Sequence, residues 1–215
     1  MVQVMEFVLA LLLIVNPFNS AKAATINEVL SKIQAFYQKI HTLKATFTQK
    51  TYFFNGKVKV YKGVVWIKKP FKFRWEYTKP ERFVIVSDGK KIIVYYPEEK
   101  QAFVYSATRA ISSQVALAFV TGKGNIKKEL KLSSFKVLAP GIWKLTFYPS
   151  HPDPQVEKIS LVVNLKTGEV KRFCVVNTAG QKVVVIFKKV YYNLPVSSKL
   201  FLLRLPKDVE LINSF

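Results

Sequence analysis

Hydrophobic residues recur along this chain with two different periods, and the change of period divides it. Ile26, Leu30, Ile33, Tyr37 and Ile40 follow one another at spacings of 4, 3, 4 and 3, which places them on one face of a helix. The spacing predicts an amphipathic helix over Thr25 to Leu43, with Thr25 and Glu28 placed as a capping box at its start. Beyond it the period falls to two, the alternation of a half-buried strand. Thr46 to Phe54 and Lys57 to Ile67 alternate in this way on either side of Asn55-Gly56, a pair that tolerates the positive φ values of a tight hairpin. In Phe71 to Tyr77, the side chains of Phe73, Trp75 and Tyr77 share one face and those of Lys72, Arg74 and Glu76 the other.

The same alternation predicts strands over Arg82 to Ser87, Lys91 to Tyr96, Gln101 to Tyr105, Phe135 to Leu138, Ile142 to Tyr148, Val156 to Val163, Val170 to Val176 and Lys182 to Tyr192, with a last short piece at Phe201 to Leu205. Asp88-Gly89, Thr167-Gly168 and Ala179-Gly180 mark turns between them. Ala107 to Val120 is small and apolar and ends at Gly122 and Gly124, the layout of a second, short helix. No internal repeat, linker or second composition zone interrupts residues 24–215, which are expected to form a single domain. The architecture implied is mainly β: one curved antiparallel sheet of about eleven strands, with helices segregated to one side.

The first residues bear on the compartment. Phe7 to Val15 is an uncharged run of nine residues, too short to cross a bilayer as a helix, which takes about 20. Asn16-Pro17 breaks it, and Ala21-Lys22-Ala23 offers a small-x-small cleavage site. This is the layout of a signal peptide over residues 1–23, although Glu6 stands before the run where a basic residue is usual. A buried core helix is the alternative. Cleavage would leave a mature chain of 192 residues (215 less 23), with no cysteine at its start to be lipidated.

Charge and composition then narrow the chemistry. The chain carries 34 Lys+Arg against 13 Asp+Glu, a net charge of +21, and removing Lys22 together with Glu6 leaves that figure unchanged. Such a balance points to an anionic partner. Export argues against nucleic acid, and so does the prevalence of lysine, a point charge, over the arginine forks that read bases and phosphates. Two readings of the charge remain: a solvated surface that guards strand edges, or a surface that meets membranes. A lone Cys174 excludes an intramolecular disulfide and a cysteine-based metal site. His41, His151, Asp88, Asp153 and Asp208 are scattered through turns and loops, and no GxSxG, HExxH or phosphate-cradling glycine loop occurs. The sequence therefore points to no enzyme, metal or cofactor. It has instead thirty aromatic residues (17 Phe, 10 Tyr, 3 Trp), many on strand faces. They form either a filled core or the lining of an apolar cavity.

Phe47-Thr48-Gln49-Lys50, Gly63 to Pro70 (GVVWIKKP), Phe73-Arg74-Trp75-Glu76-Tyr77, Pro80, Ser87-Asp88-Gly89-Lys90 and the ending Phe201 to Pro206 together resemble the signature of the periplasmic outer-membrane lipoprotein carrier family, LolA. The resemblance implies an unclosed antiparallel β-barrel of about eleven strands with an α-helical lid over its concave side. It implies a periplasmic, monomeric carrier without cofactor that holds the acyl chains of lipoproteins. Such a carrier takes its cargo from an inner-membrane lipoprotein-releasing transporter and delivers it to an outer-membrane acceptor lipoprotein. By the resemblance, the cavity would be lined by Tyr37, Phe47, Phe73, Trp75, Val115 and Ala116. Lys69 stands where the family has an arginine that latches the lid; a lysine, lacking the planar fork, implies a looser latch or a different partner. The alternative within the same fold is a sensor or holdase for a lipid-linked ligand, which is expected to carry an additional domain.

Overall fold

The computed structural model describes residues 17–107 and 124–214, and the expected second helix, with Val115 and Ala116, lies outside the described residues. Helix α1 (Pro17–Gln38) leads into β1 (Thr42–Tyr52), β2 (Val58–Lys68), β3 (Lys72–Lys79), β4 (Phe83–Asp88), β5 (Lys91–Tyr96) and β6 (Gln101–Ser106). After residues 108–123 come the single-turn helix α2 (Ile126–Glu129) and β7 (Leu130–Ala139), β8 (Ile142–Pro149), β9 (Lys158–Asn164), β10 (Val170–Val176) and β11 (Lys182–Tyr192). A 3-10 turn at Ser198–Phe201 precedes β12 (Glu210–Ser214). All twelve strands lie in one sheet of order β12-β6-β5-β4-β3-β2-β1-β11-β10-β9-β8-β7, open between its edges β12 and β7.

The strand pattern is the one the alternation predicts, with differences at the ends. Helix α1 stops at Gln38 rather than Leu43, because Thr42 and Leu43 pair with Lys68 and Ile67 of β2. Sheet pairing overrides a helical spacing that Ile40 would have continued. The helix also includes residues 17–24, so Thr25 lies inside it and does not cap it. Strand β7 starts at Leu130, earlier than Phe135, after a turn of helix capped by the Asn125 side chain. Phe201 to Leu205 is not a strand. Phe201 is 1% exposed, packed as an anchor beside Val86 and Ile93, and the last strand forms further on, parallel to β6. The sheet thus has twelve strands, one of them parallel.

One face of the sheet, here the inner face, receives α1. Val29, Leu30 and Ile33 of the helix pack on Leu145, Phe147, Ile159, Leu161, Val163 and Val170 of β8 to β10. Phe147 is fully buried there, worth about 1.5–3 kcal/mol by area. Helix backbone and sheet come close enough that Gly168, in the β9–β10 turn at φ +83°, leaves no room for a Cβ against the Lys32 carbonyl. The C-terminal segment crosses the other, outer face: Lys68 Nζ donates to the Val196 carbonyl and Arg74 to that of Leu200.

A second tight place lies in β2. A Cβ on Gly63 would stand 1.9 Å from the Glu76 carbonyl oxygen and 2.8 Å from two ring carbons of Phe47. The ring of Phe47, itself 3% exposed, fills the space that glycine leaves. Gly63→Ala should therefore lower the unfolding free energy by about 1–3 kcal/mol, an overpacking cost, and urea denaturation reads it; stability equal to wild type would refute this account of the β2–β3 contact.

Candidate functional site

Directly opposed residues of neighbouring strands share a face, so the pairing register can be read across the sheet. Phe187, Phe47, Gly63, Tyr77 and Phe83 form one such row on the inner face, from β11 through β1, β2 and β3 to β4. Ala45, Val65, Trp75 and Ile85 form the next. The rings make a continuous cluster. Phe47 lies 5.1 Å from Trp75 and 5.2 Å from Tyr77, Tyr77 stacks on Phe83 at 4.0 Å, and Phe83 stacks on Tyr96 at 5.2 Å. Phe187 reaches Trp75 at 6.4 Å and Phe173 at 5.8 Å, and Tyr61 meets Tyr77 at 5.6 Å. Only Phe47, Ala45, Val65, Tyr77 and Val185 are fully buried in this cluster; Trp75, Phe83, Ile85, Phe187, Phe173 and Tyr61 are half-buried.

Polar atoms in the cluster are few. The Tyr77 hydroxyl donates to Gln49 Oε1 at 3.0 Å, and burial, helped by the neighbouring phenols of Tyr61 and Tyr96, pushes its pKa well above the tyrosine range. The indole N–H of Trp75 is buried and has no acceptor among the described residues. A buried donor left unpaired costs about 1–3 kcal/mol, and such groups are rare in native proteins.

Of the expected cavity residues, Phe47 and Trp75 are in contact here. Phe73 stands on the same face, opposite Ile67 and Ser87. Tyr37 stands apart: it packs with the α1 half of the sheet, and its hydroxyl accepts the Val170 N–H at 3.1 Å. Burial pushes that phenol from 10.0 up to about 12 against the Val170 bond, which lowers it, and the Glu169 carboxylate adds to the rise. Beside it, Phe36 contacts both Tyr37 and Tyr192, and Tyr192 donates to Glu169 Oε1 at 2.8 Å. Sequence reasoning missed Tyr61, Phe83, Phe173 and Phe187 as members of the cluster. Their phase in the alternation was visible, but the β1–β11 pairing that brings Phe187 to Phe47 was not.

Lys69 lies at the corner where α1 meets the sheet. Its ammonium donates to the Tyr37 carbonyl at 2.5 Å, in the last turn of α1, and its backbone N–H to the His41 carbonyl at 2.9 Å. A cation on the free carbonyls of a helix C-terminus also meets the negative end of the helix dipole. Burial lowers its pKa. Asn193 closes the same corner: its amide donates to the Lys39 carbonyl, its side-chain oxygen accepts the His41 N–H, and its backbone N–H reaches Thr42.

The other polar candidates have structural duties or none. Asp88 accepts the N–H groups of Lys90 and Lys91 in its turn, Asp153 those of Gln155 and Val156, and Asp208 pairs with Lys100. His41 and His151 are exposed. Among the described residues, no three His, Cys, Asp or Glu side chains converge as metal ligands, and no helix is long and apolar enough to cross a membrane.

The family model for the outer membrane lipoprotein carrier protein LolA matches residues 38–204. An outer-membrane lipoprotein carrier protein of Dechloromonas aromatica is 28% identical over 184 residues, which cover 85% of this chain and 86% of that one. One from Nitrosomonas europaea is likewise 28% identical, covering 85% and 88%. Among solved structures, a conserved protein of Thermus thermophilus superposes with a TM-score of 0.54 at 17% identity, over 88% of this chain and 99% of its own, a likeness of fold.

The buried phenol of Tyr37 makes a prediction about pH. Its pKa is raised in the folded state, so its contribution to stability is complete below about pH 10 and disappears as pH climbs through about 12. Tyr37→Phe should remove one late-ionising phenol from the 295-nm titration. It should also cost about 1–3 kcal/mol at neutral pH, because the Val170 N–H loses its acceptor. Loss of a phenol that ionises in the ordinary range would count against the burial of Tyr37, and stability equal to wild type would count against the Val170 bond.

Proposed function

The chain belongs to the LolA family of outer membrane lipoprotein carrier proteins, and we propose that it is exported after removal of residues 1–23 and holds lipoprotein acyl chains against the aromatic inner face of its sheet. It acts as a monomer in the periplasm, taking cargo from an inner-membrane lipoprotein-releasing transporter and passing it to an outer-membrane acceptor lipoprotein. No reaction and no cofactor take part. The carrying observation is the cluster around Trp75: half-buried rings, few polar atoms and one unpaired donor.

The physical task is one of partition. An acyl chain exposes about 0.8 kcal/mol per CH₂ to water, on the order of 10 kcal/mol for a chain of about sixteen carbons. Half-buried Trp75, Phe83, Phe187, Phe173 and Tyr61 supply apolar surface to replace that water. An acyl chain also carries a carbonyl at its ester or amide head, and the Trp75 N–H is the donor that lacks a partner. Lys69 tethers the end of α1 to the β2–β3 corner, so it sets how firmly the helix-bearing half is held against the half that receives cargo.

Two variants test this. Trp75→Phe keeps an aromatic ring but removes the N–H together with the second ring of the indole; it should weaken binding of a diacylated lipopeptide by about two- to tenfold more than uptake of a hydrocarbon-like dye, the worth of one hydrogen bond. Equal losses for both ligands would remove the carbonyl contact, and no binding of either by the wild type would remove the carrier reading. Lys69→Leu should speed lipopeptide exchange in stopped-flow fluorescence, and rates matching wild type would dismiss the tether.

A further inference from the structure

The positive charge is not spread evenly over the sheet. Strands β7 to β11 with β1 and β2, seven neighbours in the sheet order, contain no aspartate or glutamate in any strand position and fourteen lysines and arginines. On the other side of β2 the strands mix both signs, Glu76, Asp88 and Glu210 standing among Lys72, Arg74, Lys79 and Lys91; in the basic half the acids Glu129, Asp153, Glu157 and Glu169 all lie outside the strands. Ion pairs join Lys59 to Glu81, Arg74 to Glu76, Lys100 to Asp208 and, at the start of β10, Lys171 to Glu169.

Register places most of the unopposed cations on one surface. The row Lys136, Lys144, Val162, Arg172, Ile186, Thr48, Lys62 crosses all seven strands on the outer face. Lys131, Lys158, Lys182, Lys188, Lys44 and Lys50 stand on the same face in adjoining rows, for ten cations in all. All but Lys158 are exposed. Seven strands at the usual spacing make a field roughly 30 Å wide. Between the cations stand Val58, Val60, Val162, Val176, Val184 and Ile186, and three of the outer aromatic rings carry a lysine: Lys182 over Tyr52, Lys158 over Tyr148 and Lys44 over Trp66. Near the centre, burial raises the Cys174 thiol pKa, against the pull of Lys182, Lys144, Arg172 and Lys158 around it.

We infer that this outer face docks on an anionic phospholipid bilayer. Edge protection does not account for it, since lysines that guard edges belong on edge strands and only Lys131 and Lys136 of the ten stand on the edge strand β7. Solubility does not account for it either, because a solubilising surface mixes both signs. A protein partner of matching charge would be recognised by arginine forks and pockets. Here nine of the ten cations are lysines on a smooth sheet, point charges that suit headgroups free to move beneath them. The short apolar side chains and lysine-capped rings between them fit the shallow, mixed boundary of a bilayer. The C-terminal segment, which covers the outer face near Lys68, Arg74 and Val86, leaves this field open.

The inference does not rest on the cargo reading and is tested apart from it. Purified protein is sedimented with vesicles of phosphatidylglycerol and phosphatidylcholine, and with phosphatidylcholine alone, at about 0.1 M and about 1 M salt, where the screening length falls from about 10 Å to about 3 Å. Binding should require phosphatidylglycerol and disappear at high salt. Each cation near an anionic surface is worth about fivefold in binding, so replacing Lys62, Lys136, Lys144 and Arg172 by Gln should cost at least about tenfold. Replacing the exposed Lys90, Lys128, Lys199 and Lys207 by Gln removes the same net charge off the field and should cost much less. Dye uptake should be unchanged in both variants, which also shows that they fold. Equal losses in the two variants, or equal binding to neutral vesicles, would overturn the proposal. So would binding to soluble poly-glutamate without binding to vesicles, which would turn the face toward an acidic protein.

Discussion

The pairing of β1 with β11 is the contact on which the rest of the molecule depends. Each half of the sheet is a chain of neighbours, β1 through β6 on one side and β7 through β11 on the other, and both are built from local hairpins. They join where Leu43 to Tyr52 run against Tyr192 to Lys182, across some 140 residues of chain. Closing so long a loop costs only slightly more than closing a short one. What it fixes is parity. A slip of one residue would send Phe47 and Ala45 outward and bring Lys44 and Lys50 into the aromatic cluster. The corner at the end of this ladder holds it in place: Asn193 and Lys69 bind the backbone between Tyr37 and Thr42, so the helix, β1 and β11 meet in one arrangement only.

Parity then sorts the chemistry of the sheet into two surfaces that suit different surroundings. Inner positions from β11 to β4 hold rings, and outer positions from β7 to β2 hold lysines with valines between them. Both outcomes come from one alternation, seen from opposite sides. This is why a chain that is half hydrophobic can carry a charge of +21 without burying any of these cations unpaired. Gly63 shows how narrow the sorting is: the single inner position of the Phe47 row without a side chain is the one that the Phe47 ring occupies.

Much of this was legible in the sequence, and the limits have physical causes. Strands with clean alternation between turn residues, such as Val170–Val176 and Lys182–Tyr192, coincide with the observed elements. The helix end was not legible, because the spacing that includes Ile40 is continuous while the pairing of Thr42 with Lys68 is remote in sequence. Strand β12 was hidden for a similar reason: Glu210 to Ser214 has too little alternation to announce a strand and owes its conformation to the edge of β6. The ring cluster could be anticipated at Phe47 and Trp75, but Tyr37, on a matching helix position, is drawn to the Val170 N–H in the other half. The basic field was present in the composition as a number; its shape needed the strand order.

The two halves of the inner face differ in how completely they are packed, and under the proposed function the difference divides folding from binding. Over β8 to β10, α1 closes a core in which Leu145, Phe147 and Val163 have no exposure at all, and this cluster holds more buried residues than the one over β1 to β4. Over β1 to β4, the rings are left half-covered and one indole N–H unpaired, each at a cost that the first half must offset. A protein can keep such a surface only where the remainder folds firmly without it, since unfilled apolar area lowers local stability. The partition also explains why the tether at Lys69 lies between the halves and not within either. Under the proposed function it is the place where the firm part meets the part that would exchange its contacts for those of a ligand, and a lysine bound there to the Tyr37 carbonyl would make that boundary easier to open than a forked arginine.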